Sequence, residues 1–317
     1  MLKKSIRRFQ ILSLDGGGLK GLFTAAFLAN WEKENNTKVV DHFDLIAGTS
    51  TGGIIALGLG LGFSAEQIKN LYLEKAEQIF PPSLLGNAKH WISVKYSAQG
   101  LKEALEELFQ DKKLGESTKR LIIPAYDPAF QGIHIFKTAH HRRLQTDYKQ
   151  TAVHVALATS AAPTYFQPEE TESGLQLVDG GVWANNPVML AVAEAMGYLD
   201  QSQCEIAALR IGTSEEVISL DTLKTSGGKL QMAAPLIEFM MRGQSQSASG
   251  MVFHLLGKDR FHQVNPVSAP GDFHLDKLRK ELVALGEAKW RHESSELLDK
   301  GFFDHTAEPF DPCYQLN

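Results

Sequence analysis

Cysteine is nearly missing from this chain: two stand among 317 residues, Cys204 and Cys313. A disulfide framework is thereby excluded, the pair shows no metal-ligand spacing, and a reducing compartment such as the cytoplasm is expected. Excess positive charge is missing as well, with 32 Lys plus Arg against 37 Asp plus Glu and a formal net charge of −5. That balance removes the usual attraction to polyanions, so no nucleic-acid polymer is expected as a partner. Long apolar runs are absent too. No segment reaches the roughly 18 uninterrupted apolar residues of a membrane-spanning helix. The run behind the basic opening, Ile11 to Leu14, is far shorter than the roughly 7–15 residues of a signal-peptide core. Any meeting with a membrane is expected from its surface. No low-complexity stretch, proline-rich linker or charge block divides the chain, so a single domain over residues 1–317 is expected.

What is present is an alternation of strands and helices. Phe9 to Leu14 reads as a buried strand, followed by the turn Asp15-Gly16-Gly17-Gly18 and a helix through Gly21 to Leu28. A second unit repeats the pattern: a strand over Phe43 to Ala47, the turn Gly48-Thr49-Ser50-Thr51-Gly52-Gly53, and a helix through Ile54 to Leu57. Ser64 and Gln67 have the spacing of a capping box, opening a helix that Pro81 and Pro82 stop. From Pro81 to Tyr96 the chain carries Leu84, Leu85, Trp91 and Ile92. This suits either a packed connection or a mobile cover over an apolar site.

Further along, the patterns predict a helix over Gly100 to Phe109, a strand pair at Leu121 to Ala125 and Ile133 to Phe136, and a helix over Ala152 to Thr159. A strand at Leu175 to Val178 delivers Asp179-Gly180-Gly181. A helix through Met189 to Met196 and a strand at Glu205 to Ile211 follow. The last third reads as mainly helical, over Leu230 to Leu256 and Phe273 to Leu298. Within it, Leu236 to Met241 and Met251 to Phe253 suit either a core helix or a surface that touches acyl chains or membrane. The whole predicts an α/β sheet with helices on both faces.

Gly48-x-Ser50-x-Gly52 has the form of a nucleophile elbow, in which small neighbours let the chain fold sharply enough to expose a serine at a strand's end. The same residues also fit an ordinary glycine turn. The first turn, Asp15-Gly16-Gly17-Gly18-Leu19-Lys20-Gly21, satisfies a dinucleotide fingerprint, but such a site needs an acidic residue at the end of the second strand. That strand ends in Gly48-Thr49-Ser50 instead. The other use of bare amides at a helix start is an oxyanion hole, which Gly17 and Gly18 can supply, with Lys20 either adding charge there or standing in solvent. Histidines 254, 262, 274, 292 and 305 follow Asp179, yet none sits in a strand-end turn comparable to Asp179-Gly180-Gly181. Asp179 is left as the base, unless it is simply a turn aspartate. A carboxylate can serve there only if it is buried beside the serine.

Taken in order, these three motifs and Ala158-Thr159-Ser160-Ala161-Ala162-Pro163-Thr164-Tyr165-Phe166 resemble the patatin-like phospholipases over about residues 9 to 212. The resemblance implies a three-layer α/β/α sandwich with a mostly parallel sheet, a catalytic core over 9–212 and a helical portion over 213–317. It implies Ser50 as nucleophile, Asp179 as general base, and Gly16, Gly17 and Gly18 as the oxyanion hole. Lys20, Gly21, Gly48, Gly52, Gly180 and Gly181 support these motifs. The implied reaction is hydrolysis of phospholipid acyl esters through an acyl-serine, with no metal and no cofactor. His140-His141-Arg142-Arg143 suits either phosphate headgroups or a solvated basic loop. Compact size adds a likeness to a bacterial branch in which a cyclic oligonucleotide switches the lipase on during phage defence. That likeness implies a cyclic dinucleotide activator, action at the inner membrane face and self-association as a homo-oligomer. A storage or binding protein with the same fold is the alternative.

Overall fold

The computed structural model describes residues 7–81, 95–171, 174–201, 205–216, 233–268 and 275–316. The central strand β1 (Arg8–Leu14) is buried from Phe9 onward, the polar Gln10 and Ser13 included, as suits a parallel strand covered on both faces. It lies between β2 (Leu45–Gly48) and β7 (Glu205–Ile211), parallel to both. Beyond β2 comes β3 (Arg120–Asp127), again parallel. On β3 pair two antiparallel strands, β4 (Gly132–Lys137) and β6 (Gln176–Asp179), and the short β5 (Glu169–Glu170) pairs with β6. At the far side β9 (Phe261–Val264) runs parallel to β7 and completes an eight-stranded sheet.

The register on β3 fixes where the second and sixth strands meet. Ile122 pairs with Ala47 and with Lys137, so β2 and β4 occupy opposite edges of β3. Ala125 pairs with Asp179 and with His134, so β6 also lies opposite β4. Strands β2 and β6 therefore share one edge of β3 and point at each other end to end. Their last paired levels, Ile122 and Ala125, are about 10 Å apart at the usual strand rise. The chain leaving β2 turns inside that gap.

Helices cover both faces. On one lie α1 (Gly21–Asn35), α2 (Thr51–Gly60), α3 (Ala65–Ile79), α4 (Gln99–Phe109), α5 (Ala152–Ser160) and α9 (Glu281–Asp299), packed over Leu12, Leu14, Ile46 and Ile123. On the other lie α7 (Val188–Gly197) and α8 (Ala233–Leu256), over Phe9, Ile11, Leu45, Ala47 and Ile206. Alternate residues along each strand thus feed two cores, as the pleat requires. Helix α2 is buried along its whole length and α3 starts at the anticipated box, with Ser64 accepting from the Gln67 amide. The single-turn α6 (Gly181–Ala184) follows β6 directly.

Two differences from the sequence expectations stand out. Residues 213–317 are not helical throughout, since they contain β9, and the two-residue strands β8 (Glu215–Glu216) and β10 (Val267–Ser268) pair with one another. Four residues between a helix and a turn carry too little periodicity to announce a strand. His140 is no part of a solvated loop: its buried ring hydrogen-bonds Thr138 and Glu194, whereas Arg142 and Arg143 are exposed. The stretch at 82–94, with Leu84, Leu85, Trp91 and Ile92, and the side chains of Leu236 to Glu238 lie outside the described residues.

Candidate active site

Ser50 follows β2 with φ 54° and ψ −124°, a conformation that costs a non-glycine residue on the order of 1–3 kcal/mol. Hydrogen bonds on both sides hold it there. The Ser50 amide donates to Thr159 Oγ1 at 3.0 Å, the Thr49 hydroxyl donates to the Ala184 carbonyl at 2.6 Å, and the Ile54 amide donates to the Ser50 carbonyl. Both flanking glycines are demanded by space. A Cβ on Gly48 would stand 2.1 Å from the Gly52 carbonyl oxygen, and one on Gly52 would stand 2.2 Å from that of Leu14.

Asp179 ends β6 and arrives from the opposite direction. Its amide donates to the Ala161 carbonyl at 3.0 Å, and its Oδ1 accepts from the Gly181 amide at 2.6 Å. The Ser50 hydroxyl approaches the same carboxylate and favours its charged form. Burial dominates nonetheless and pushes the Asp179 carboxyl up to about 6, the Ser50 and Gly181 hydrogen bonds opposing it. Among the described residues no histidine hydrogen-bonds Ser50 or Asp179: His262 pairs with Glu293, His305 with Asp44, and His254 is exposed. His274 lies outside the described residues.

The glycine turn after β1 forms a third side. The Gly16 amide already donates to the Asn185 carbonyl at 3.0 Å, so it is committed within the fold. The amides of Gly17 and Gly18 meet no acceptor among the described residues. Gly18 has φ +57°, and a Cβ there would lie 2.3 Å from the Leu275 carbonyl oxygen, so only glycine fits. Lys20 is half-buried, and its Nζ donates to the Ser214 carbonyl at 3.2 Å. Gly21 starts α1 against Thr51, and Gly180 passes close to the Pro124 carbonyl.

Three residues that sequence reasoning did not single out hold these parts together. Thr159 accepts from Ser50 and donates to the Pro124 carbonyl at 2.5 Å, which lies in the gap between β2 and β6. The segment from Ala158 to Phe166 therefore touches both candidate groups, Thr159 at Ser50 and Ala161 at Asp179. Asn185 binds the Gly16 amide through its carbonyl, and its Oδ1 lies between Gly16 and Gly181. Arg210 of β7 grips the Asp15 carboxylate through Nε at 3.0 Å and through Nη2. It also donates to Ser245 and Ser249 of α8 and to Gln263 of β9. A lone arginine inside the apolar strand Glu205–Ile211 was its only local signal.

Serine on a strained turn, a buried carboxylate beside it and uncommitted amides opposite form the parts of an acyl-transfer site. The fold resembles that of VipD from Legionella pneumophila, with a TM-score of 0.52 at 15% identity, over 93% of this chain and 67% of that one. A cGAMP-activated phospholipase of Pseudomonas aeruginosa is 32% identical over 98% of this chain and 92% of its own length. Phospholipases of the same description from Escherichia coli and Vibrio cholerae are 36% and 33% identical over 67% and 71% of this chain, and 64% and 69% of their own lengths. The profile of the patatin-like phospholipases matches residues 12–192, and the chain belongs to that family.

Proposed function

We propose that Ser50 and Asp179 form the catalytic dyad of a lipid acyl hydrolase that cleaves phospholipid esters. The observation that carries this is their meeting in the gap on β3, with the carboxyl raised to about 6. Ser50 Oγ attacks the ester carbonyl and its proton passes to the Asp179 carboxylate. The tetrahedral oxyanion faces the amides of Gly17 and Gly18, where each lost donor costs about 10²–10³ in rate. As the intermediate collapses, the ester C–O bond breaks, and Asp179 returns the proton to the leaving lysophospholipid oxygen. Water then attacks the acyl-serine, giving its proton to Asp179. Release of the fatty acid restores the Ser50 hydroxyl with that proton.

The same reading extends to control. The P. aeruginosa relative that aligns with nearly the whole chain is described as cGAMP-activated, which supports a cyclic dinucleotide as the activator here. Substrate is met from the bilayer surface; among the described residues no helix is long and apolar enough to cross a membrane. Fatty-acid release from phosphatidylcholine vesicles, followed while cGAMP is titrated in, tests the activator. A saturable rise is expected. Equal release with and without cGAMP removes the activator from the account.

A further inference from the structure

Exposed apolar side chains stand on two elements that reach the sheet edge to which β2 delivers Ser50. Strand β3 runs past the level of Ala47, and its register with β4 puts the connecting turn, residues 128–131, at that edge. Phe130 on this turn is 78% exposed, and Ile133 at the start of β4 is 60% exposed. Helix α8 reaches the same edge from the other face. Its Ser245 and Ser249 hold Arg210, which pairs with Ser13 near the end of β1, whereas Val252 and Leu256 pack with Phe9 and Ile206 at the strand starts. The helix therefore climbs toward the edge in its N-terminal half. There Met241 Cε comes within 3.4 Å of where a Cβ on Gly181 would stand. Its neighbours Phe239 and Met240 are 53% and 65% exposed.

We infer that Phe130, Ile133, Phe239 and Met240 form a bilayer-docking surface that inserts among acyl chains beside the opening over Ser50. The inference rests on the hydrolase reading of that site. A lipid surface is the occupant because the helix turn that bears Phe239 and Met240 also bears Met241, which reaches Gly181 beside Asp179, where a membrane lipid must present its ester. Charge supports insertion over adsorption: with a net charge of −5 the chain has no overall attraction to anionic headgroups, so burial of apolar side chains has to supply the binding. The apolar residues Phe253 and Leu255, at the opposite end of α8, serve as an internal control.

Three proteins test this: wild type, the triple variant Phe130→Ser/Phe239→Ser/Met240→Ser, and the control Phe253→Ser/Leu255→Ser. Each is co-sedimented with phosphatidylcholine vesicles at low and high salt and assayed on a water-soluble short-chain ester, with cGAMP present throughout. The triple variant is expected to lose about tenfold or more of its vesicle binding. The control binds like wild type, salt has little effect, and all three turn over the soluble ester equally. Phe130→Ser alone repeats the test on the hairpin if the triple variant folds poorly. Wild-type vesicle binding by the triple variant, loss in the control only, or binding abolished by salt would overturn the inference. So would a triple variant that binds vesicles normally but no longer self-associates, which assigns the face to a second copy of this chain. Failure of wild type on the soluble ester would instead count against the Ser50 assignment, and the sedimentation would still report on docking.

Discussion

A carboxylate that takes a proton from serine works best with a pKa near the operating pH, and burial gives Asp179 a value of about 6. It is active when ionised. Turnover on a soluble ester is therefore expected to climb about tenfold per pH unit up to about 6 and to level off above it; a flat profile from pH 5 to 8 would contradict this. Stability moves the other way. The folded value lies above the ordinary 3.8, so the folded chain holds the proton more tightly, and this contribution is lost as pH rises from about 4 to about 6. At neutral pH the buried charge costs up to about 3 kcal/mol. Asp179→Asn can still accept from the Gly181 amide, so it is expected to melt higher than wild type at pH 7 while losing most turnover. Unchanged turnover would mean a different base. Both Ser50 and Asp179 were legible because glycines mark their turns. The commitment of the Gly16 amide was not, since Asn185 comes 169 residues later and no local pattern announces that bond.

Elements meet here through register more than through sequence proximity. Most strands and helices could be read from periodicity, including β7 at its observed bounds and the capping box of α3. Hidden was the decisive fact that β2 and β6 share an edge of β3, because strand pairing is a long-range choice that neither strand encodes alone. Helix α5 bridges the resulting gap, Thr159 tying the Ser50 amide to the Pro124 carbonyl. Thr159→Val keeps the shape and leaves both groups unpaired, so it is expected to destabilise the chain by about 1–3 kcal/mol. Loosening of the elbow should also lower kcat by tenfold or more, on the order of what a small misplacement costs. Thr159→Ser should recover most of both, as followed by thermal unfolding and ester turnover. A valine variant with wild-type kcat would show that the turn holds Ser50 unaided.

Across the whole molecule, polar ties run from the site into its outer layer. Arg210 links Asp15, at the head of the glycine turn, to Ser245 and Ser249 of α8, and Asn186 of the turn before α7 donates to the same two residues. The position of α8 is thus coupled to the turn that carries the Gly17 and Gly18 amides. Composition could say only that charge would not draw this chain to polyanions and that a substantial core would form. Which apolar residues are left outside that core depends on the completed packing. The role of Ser50 as nucleophile of a phospholipid hydrolase is tested by fatty-acid release from phosphatidylcholine vesicles by wild type and Ser50→Ala, with cGAMP present in both. Release by wild type and a rate at least about 10³-fold lower in the variant are expected, since an alanine cannot form the acyl intermediate. Equal release by the two proteins would contradict that role.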